Sequence, residues 1–103
     1  MKTRVCVSRQ VEGFLKSLAP EPRRALRRAM KNLADDKGDV KLLEGKLSGF
    51  SRLRAGKFRV VYEVKTVGVE RVFFCLYVNY RSIVYEVLEQ LLASGLIEEL
   101  KQD

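Results

Sequence analysis

Residues 43–64 read LEGKLSGFSRLRAGKFRVVYEV. Glycines at 45, 49 and 56 punctuate residues that alternate in strand fashion, and Lys46, Arg52, Arg54, Lys57 and Arg59 stand among them, with Lys41 just ahead. In a strand, successive side chains point to opposite faces. Phe58, Val60, Tyr62 and Val64 therefore share one face, and Arg59, Val61 and Glu63 share the other. The first set is apolar or aromatic and is expected to face helices. Arg52 and Arg54 share a face opposite Leu53. Arg52, Arg54, Arg59 and Lys57 from the intervening turn are expected to converge on a concave, uncovered side of the sheet. A strand whose outward positions are mostly Arg and Lys suits a polyanion.

The flanking sequence supplies the other elements. Residues 2–8 alternate as a short strand, and Ser8 is placed to cap a helix carrying Val11, Phe14, Leu15 and Leu18 at helical spacing. Pro20 is expected to end that helix, and Pro22 to open a second one whose buried stripe is Ala25, Leu26, Ala29, Met30 and Leu33. Arg23, Arg24, Arg27, Arg28 and Lys31 cover the rest of it, as a solvated side or as a secondary grip on RNA or DNA. Residues 35–39 read as a turn and residues 41–47 as irregular. Strands are expected near 51–55, 57–65 and 69–80, with Ala55-Gly56 and Thr66-Val67-Gly68 as hairpin turns. In the last strand, strict alternation sets Arg71, Phe73, Cys75, Tyr77 and Asn79 against Val72, Phe74, Leu76 and Val78. Ser82 is placed to cap a final helix running to about residue 100, with Val84, Val87, Leu88, Leu91 and Leu92 inside, and Gly95 is placed to end or kink it. The fold class is α+β: β-α-α-β-β-β-α, an N-terminal αα-hairpin and a C-terminal helix on a mainly antiparallel four-stranded sheet.

Residues 1–103 suffice for one domain with one core. The formal net charge of +7 is uneven: residues 1–31 carry nine cations and two acids, residues 60–103 four cations and seven acids. That asymmetry favours nucleic acid or an acidic protein over a neutral small molecule as partner. No apolar run approaches the ~20 residues of a membrane span, and the first residues show no long apolar leader; no membrane partner and a cytoplasmic location are expected. Cys6 and Cys75 both sit in apolar strand-like runs and are expected as buried thiols. With no histidine and two cysteines, a structural zinc site lacks ligands, and no metal or cofactor is expected.

The run Leu43-Glu44-Gly45-x-Leu47-x-Gly49-Phe50-x-Arg52-Leu53-Arg54-x-Gly56-x-Phe58-Arg59-Val60-Val61-Tyr62, followed by Arg81 and Tyr85 near the last strand, resembles the RelE/ParE superfamily of bacterial toxin–antitoxin toxins. The resemblance spans nearly the whole chain. It implies one of two activities: ribosome-dependent cleavage of mRNA, as in RelE-like members, or poisoning of DNA gyrase, as in ParE-like members. A third possibility is a catalytically degenerate relative retained as an antitoxin-binding module. It also implies a cognate antitoxin as partner, with mRNA and the ribosome, or gyrase, as the target.

RNA cleavage by 2′-OH attack needs a proton acceptor for that hydroxyl, stabilisation of the phosphorane and a proton for the leaving 5′ oxygen. Without histidine, Tyr and Lys are the proton-transfer candidates. Their reference pKa values, ~10 and ~10.4, are lowered by crowded cations. Arg supplies a fixed fork of donors. On the resemblance, Arg59 and Arg81 would stabilise the phosphorane, Tyr85 would transfer a proton, and Lys46, Arg52, Arg54 and Lys57 would grip the backbone. Tyr62, on the apolar strand face, is expected in the core. Where ribonuclease members often carry further basic residues or a histidine, this chain has Val78-Asn79-Tyr80.

Overall fold

The computed structural model describes residues 2–95; the final helix, expected to run to about residue 100, ends within them at Ala93. The elements are β1 (Lys2–Val7), α1 (Arg9–Ser17), α2 (Pro20–Lys31), a 3-10 turn (Asn32–Asp35), β2 (Asp39–Leu42), a second 3-10 turn (Gly45–Leu47), β3 (Ser51–Ala55), β4 (Phe58–Val67), β5 (Glu70–Tyr80) and α3 (Val84–Ala93). The five strands form one sheet in the order β1-β5-β4-β3-β2, with β1 parallel to β5 and every other pair antiparallel.

The sheet has five strands where the sequence suggested four. The extra one, β2, falls where residues 41–47 read as irregular. It pairs Asp39 with Arg54 and Leu42 with Ser51 along the sheet edge, and all four of its residues are exposed. A four-residue edge strand held by backbone hydrogen bonds buries no side chain, so it leaves little hydrophobic pattern to read.

Two helical layers cover the sheet. Val11 and Leu15 of α1, Leu26 and Met30 of α2, and Leu33 pack with Leu53, Phe58, Val60, Tyr62, Phe73, Cys75 and Val78. Tyr62 thus takes the expected core place. On the opposite face, Val84 and Leu88 of α3 join Leu47, Phe50, Val61, Leu76 and Tyr77 in a second cluster. The face bearing Arg59 is therefore not uncovered, as expected, but half roofed by α3. Each of these fully buried aliphatic side chains contributes about 1.5–3 kcal/mol over its exposed state. Val64, expected on the core side, is 43 % exposed, because both helices of the hairpin pack nearer the other end of β4.

A bulge sets which residues share a face. Val61 pairs with Tyr77 but Tyr62 pairs with Cys75, so Leu76 is an extra residue on β5. Leu76 and Tyr77 both reach the α3 cluster, and Val78 returns to the α1–α2 cluster. The expected alternation holds up to Leu76; from Tyr77 to Asn79 every side chain changes face, which puts Asn79 opposite Arg59. The backbone around the bulge is held from β1's end. Ser8 Oγ donates to the Leu76 carbonyl at 2.6 Å, Ser8 N–H to Cys75 O at 3.0 Å, and the Gln10 amide bonds both N–H and C=O of Val78 at 2.9 and 2.7 Å. Ser8 also caps α1 as expected, accepting from Val11 N–H at 3.3 Å.

Two helix starts and both hairpin turns differ from the sequence reading. Pro20, not Pro22, is the first residue of α2, where its missing N–H would be unsatisfied anyway. The C-terminal carbonyls of α1 are closed by Arg23, whose guanidinium donates to Leu15 O at 3.0 Å and Leu18 O at 2.7 Å. Ser82 makes no cap: Ile83 holds the N-cap position of α3 without a side-chain bond, and Gly95 at φ +77° closes the helix. The hairpin turns are Gly56-Lys57 and Gly68-Val69, each opening on a glycine with φ +61°.

Asp36 lies in the left-handed region (φ 55°) and accepts two hydrogen bonds from Arg71 at 2.8 and 3.1 Å, tying the loop after α2 to β5. The bonds from Arg71 hold the Asp36 carboxyl below its ordinary value. Its folded pKa lies under the unfolded one, so the bridge stabilises fully above about pH 4 and fades as pH falls through the folded value. The difference in melting temperature between the wild type and Asp36→Asn, a residue that tolerates left-handed backbone, should hold between pH 6 and pH 5 and shrink from about pH 4 to pH 2.5. A constant difference would mean that the charge plays no part.

The two cysteines are free thiols on opposite faces of the sheet: Cys6 is half-buried beside Phe74, and Cys75 lies in the α1–α2 core. Cys6 thus departs from the expected burial, since its face of β1 lies beyond the reach of α3. Burial pushes the Cys75 thiol up to about 12. Native protein should take up one maleimide, at Cys6, and a second only on unfolding.

Candidate functional site

A groove of about 710 Å³ opens between β2, the second 3-10 turn and α3. Its floor is Arg52 and Arg54 of β3 and Arg59 of β4. One wall is Lys41, Leu42, Leu43, Glu44 and Leu47; the other is Arg81, Tyr85 and Glu89. Strand register explains the floor: Arg54 pairs directly with Arg59, and Arg52 with Val61, so the three arginines share the α3 side of the sheet. The far wall follows from the β5 end. The Arg81 N–H donates to Lys57 O at 3.0 Å, which fixes the chain as it turns into α3. Tyr85 then falls in the first turn of that helix, partly buried against the second core cluster, and Glu89 one turn further on.

The arginines are held in different ways. Arg59 is only 7 % exposed, and its guanidinium donates to Gly56 O and Phe58 O, both at 2.8 Å. Burial, then the cations of Arg54 and Arg81, lowers its pKa below the ordinary guanidinium value. The cation remains, since an ordinary guanidinium lies far above neutrality. Arg59 is thus a fixed positive charge under the groove. Arg52 and Arg54 lean on the Asp39 carboxylate at 3.4 and 3.9 Å, and the Arg54 side chain stays more than half exposed. Arg81 is exposed.

Of the seven residues singled out from the sequence, five meet here: Arg52, Arg54, Arg59, Arg81 and Tyr85. Lys46 is exposed on the 3-10 turn beside the groove and does not line it. Lys57 sits on the β3–β4 turn with its ammonium over the rings of Phe58 and Tyr80 at 5.6 and 5.8 Å, beside a separate shallow depression that shares Arg81. Asn79 does not line the groove either: its amide donates to the Tyr77 hydroxyl at 2.9 Å and its oxygen accepts from Tyr80 N–H at 2.8 Å. Glu44, Glu89 and Lys41 were not singled out as site residues. The signal for Glu89 was its spacing of four from Tyr85, itself four from Arg81.

The groove can take an extended anion. Five cations against two carboxylates line it, arginine forks bind phosphate oxygens in pairs, and Tyr85 carries a hydroxyl donor and acceptor. Among the described residues, no three His, Cys, Asp or Glu side chains gather as they would around a metal ion, and no helix is long and apolar enough to cross a membrane.

No protein-family model matches the sequence, nor does any curated protein. Solved structures do. The RelBE2 toxin–antitoxin complex of Mycobacterium tuberculosis superposes with TM-score 0.62 at 20 % identity, over 79 % of this chain and 100 % of that one. The YoeB/ParE toxin of Agrobacterium tumefaciens gives 0.61 at 18 %, over 79 % and 99 %. The archaeal RelE–RelB complex of Pyrococcus horikoshii gives 0.59 at 28 %, over 79 % and 97 %. The chain has the fold of the RelE/ParE superfamily. Its RelE/ParE fold accounts for the αα-hairpin on one face of the sheet and for α3 beside the groove on the other.

Proposed function

We propose that this protein of RelE/ParE fold is the toxin of a toxin–antitoxin pair and that it cleaves mRNA on the ribosome, in the cytoplasm. The observation that carries this reading is the meeting of Arg59, Arg81 and Tyr85 with Arg52 and Arg54 in one groove. In the reaction, the 2′-OH loses its proton as O2′ bonds to phosphorus. The bond from phosphorus to O5′ then breaks and O5′ takes up a proton, leaving a cyclic phosphate and a 5′-hydroxyl. Arg59 and Arg81 counter the charge that builds on the phosphorane, where preorganised donors act most strongly. Tyr85 moves a proton, and Arg52 and Arg54 hold the flanking phosphates. Lys46 and Lys57, at the margins, would grip RNA entering and leaving the groove. The cognate antitoxin would neutralise the toxin, as the similar RelBE2 structure is a toxin–antitoxin complex.

Expression in bacteria with mapping of mRNA 5′ ends tests the reading. New cuts within codons, lost in Arg81→Ala, are the expected result. DNA breaks and an SOS response with intact mRNA would replace it with gyrase poisoning. Harmless expression would leave an antitoxin-binding module.

A further inference from the structure

The groove leaves unused the strongest run of charge in the chain. In α2, Arg24, Arg27, Arg28 and Lys31 are all exposed. At 3.6 residues per turn they fall within an arc of about 100° and along about 10 Å of helix, on the side away from buried Leu26 and Met30. Arg23 does not belong to this ridge, since its fork is spent on the carbonyls of α1. Arg27 has the Glu12 carboxylate at 3.7 Å. Among the described residues no ion pair compensates Arg24, Arg28 or Lys31.

A merely solubilising helix face interleaves acids and bases, because Glu and Lys or Arg at i,i+4 attract and like charges repel. Here Arg24–Arg28 and Arg27–Lys31 are i,i+4 pairs of like sign, and the only acid of the helix, Glu21, lies in its first turn. These like charges repel one another, a cost that an anion lying across them would remove.

The ridge also lies on the far side of the sheet from the groove: α2 packs on the Phe58–Val60–Tyr62 face, while Arg59 and Tyr85 belong to the α3 face. One short strand seated in the groove does not reach both. We infer that the α2 ridge is a second, separate phosphate-binding surface, and that its ligand is the backbone of double-stranded RNA. The sequence of the ridge, PEPRRALRRAMK, offers no aromatic ring for unpaired bases to stack on, the usual device for single strands. Evenly placed cations without base-reading amides suit the phosphates of a duplex, recognised by shape and charge. This goes beyond the cleavage reading and does not depend on it.

The probe is a 2′-O-methyl RNA duplex of about 16 base pairs, which keeps the phosphates and offers no 2′-hydroxyl to cleave. Its affinity for the full chain is measured from 50 to 200 mM salt. In the triple variant Arg24→Gln, Arg28→Gln, Lys31→Gln, the slope of log affinity against log salt should fall by about 2–3, since each lost phosphate contact removes about 0.9. Affinity at 50 mM should drop more than tenfold. A second variant, Arg24→Lys with Arg28→Lys, should keep the slope, and melting temperatures show that both variants fold. An unchanged slope in the triple variant overturns the inference. So does a triple variant that binds duplex as the wild type does but loses a poly-glutamate peptide, which would assign the ridge to an acidic protein. Neither result bears on mRNA cleavage, which is read separately from 5′ ends.

Discussion

Arg81→Ala is expected to slow single-turnover cleavage of mRNA on programmed ribosomes by about 10²–10³-fold, the usual cost of removing one preorganised donor from a developing oxyanion. The melting temperature should stay within experimental error. Both halves of the result follow from placement. The Arg81 side chain is exposed on the groove wall, and its structural contribution is the backbone bond to Lys57 O, which alanine keeps. Tyr85→Phe should cost about 10²–10⁴-fold, as loss of a proton-transfer group does, again with little change in stability. Arg59→Ala is the less informative change. It would remove a fixed charge from the groove floor and also leave the Gly56 and Phe58 carbonyls without their guanidinium donor, so stability and rate would fall together. If Arg81→Ala cleaves at the wild-type rate, the phosphorane is stabilised elsewhere and the proposed roles fail.

The second large effect contrasts the two cores. Leu26→Ala and Leu88→Ala remove equally buried leucines, at 1 % and 0 % exposure, from opposite faces of the sheet. Each should lower unfolding free energy by about 2–5 kcal/mol in urea titrations. Their effects on cleavage should differ. Leu88 pins α3 one turn beyond Tyr85 and beside Glu89, so its loss loosens the helix that forms one wall of the groove. Leu26 anchors α2 on the far face. At a temperature where both variants remain folded, Leu88→Ala should lose at least tenfold more activity than Leu26→Ala, since small misplacements of catalytic groups are costly. Equal losses would show that α3 does not position Tyr85.

The sequence carried the fold well wherever a signal was local. Ser8 before a helical stripe, prolines near a helix start, glycines at the hairpin turns and the alternation of Phe58, Val60 and Tyr62 all reappear in three dimensions. It missed β2 because an edge strand buries nothing. It misplaced the α3 cap because Ser82 has the right chemistry one residue too early, at a position where its hydroxyl makes no cap bond.

The site was legible in part. Arg52, Arg54 and Arg59 follow from strand parity, and β3–β4 register joins them without interruption. The far wall depends on features that no periodicity records. The extra residue Leu76 reverses the parity of β5, turns Tyr77 and Asn79 to the α3 side and couples them to each other by a hydrogen bond. That leaves Asn79 in a structural role and gives the groove to Arg81 and Tyr85. The uneven charge had the same limit, because a count of cations says nothing of which side of the sheet each occupies.

By itself, then, residues 43–64 determined a cationic strand pair with one apolar face, since alternation and charge are properties of neighbouring residues along the chain. Only the tertiary structure decided that α3 shares the cationic face, that Lys57 and Lys46 stand at the margins, and that Arg59 is a buried, fixed charge while Arg54 and Arg81 are exposed. The physical reason is that a bulge, an edge strand and the wall of a groove are each set by partners far away in sequence: Ser8 and Gln10 at the bulge, β3 at the edge, and α3 beside the arginines of β3 and β4.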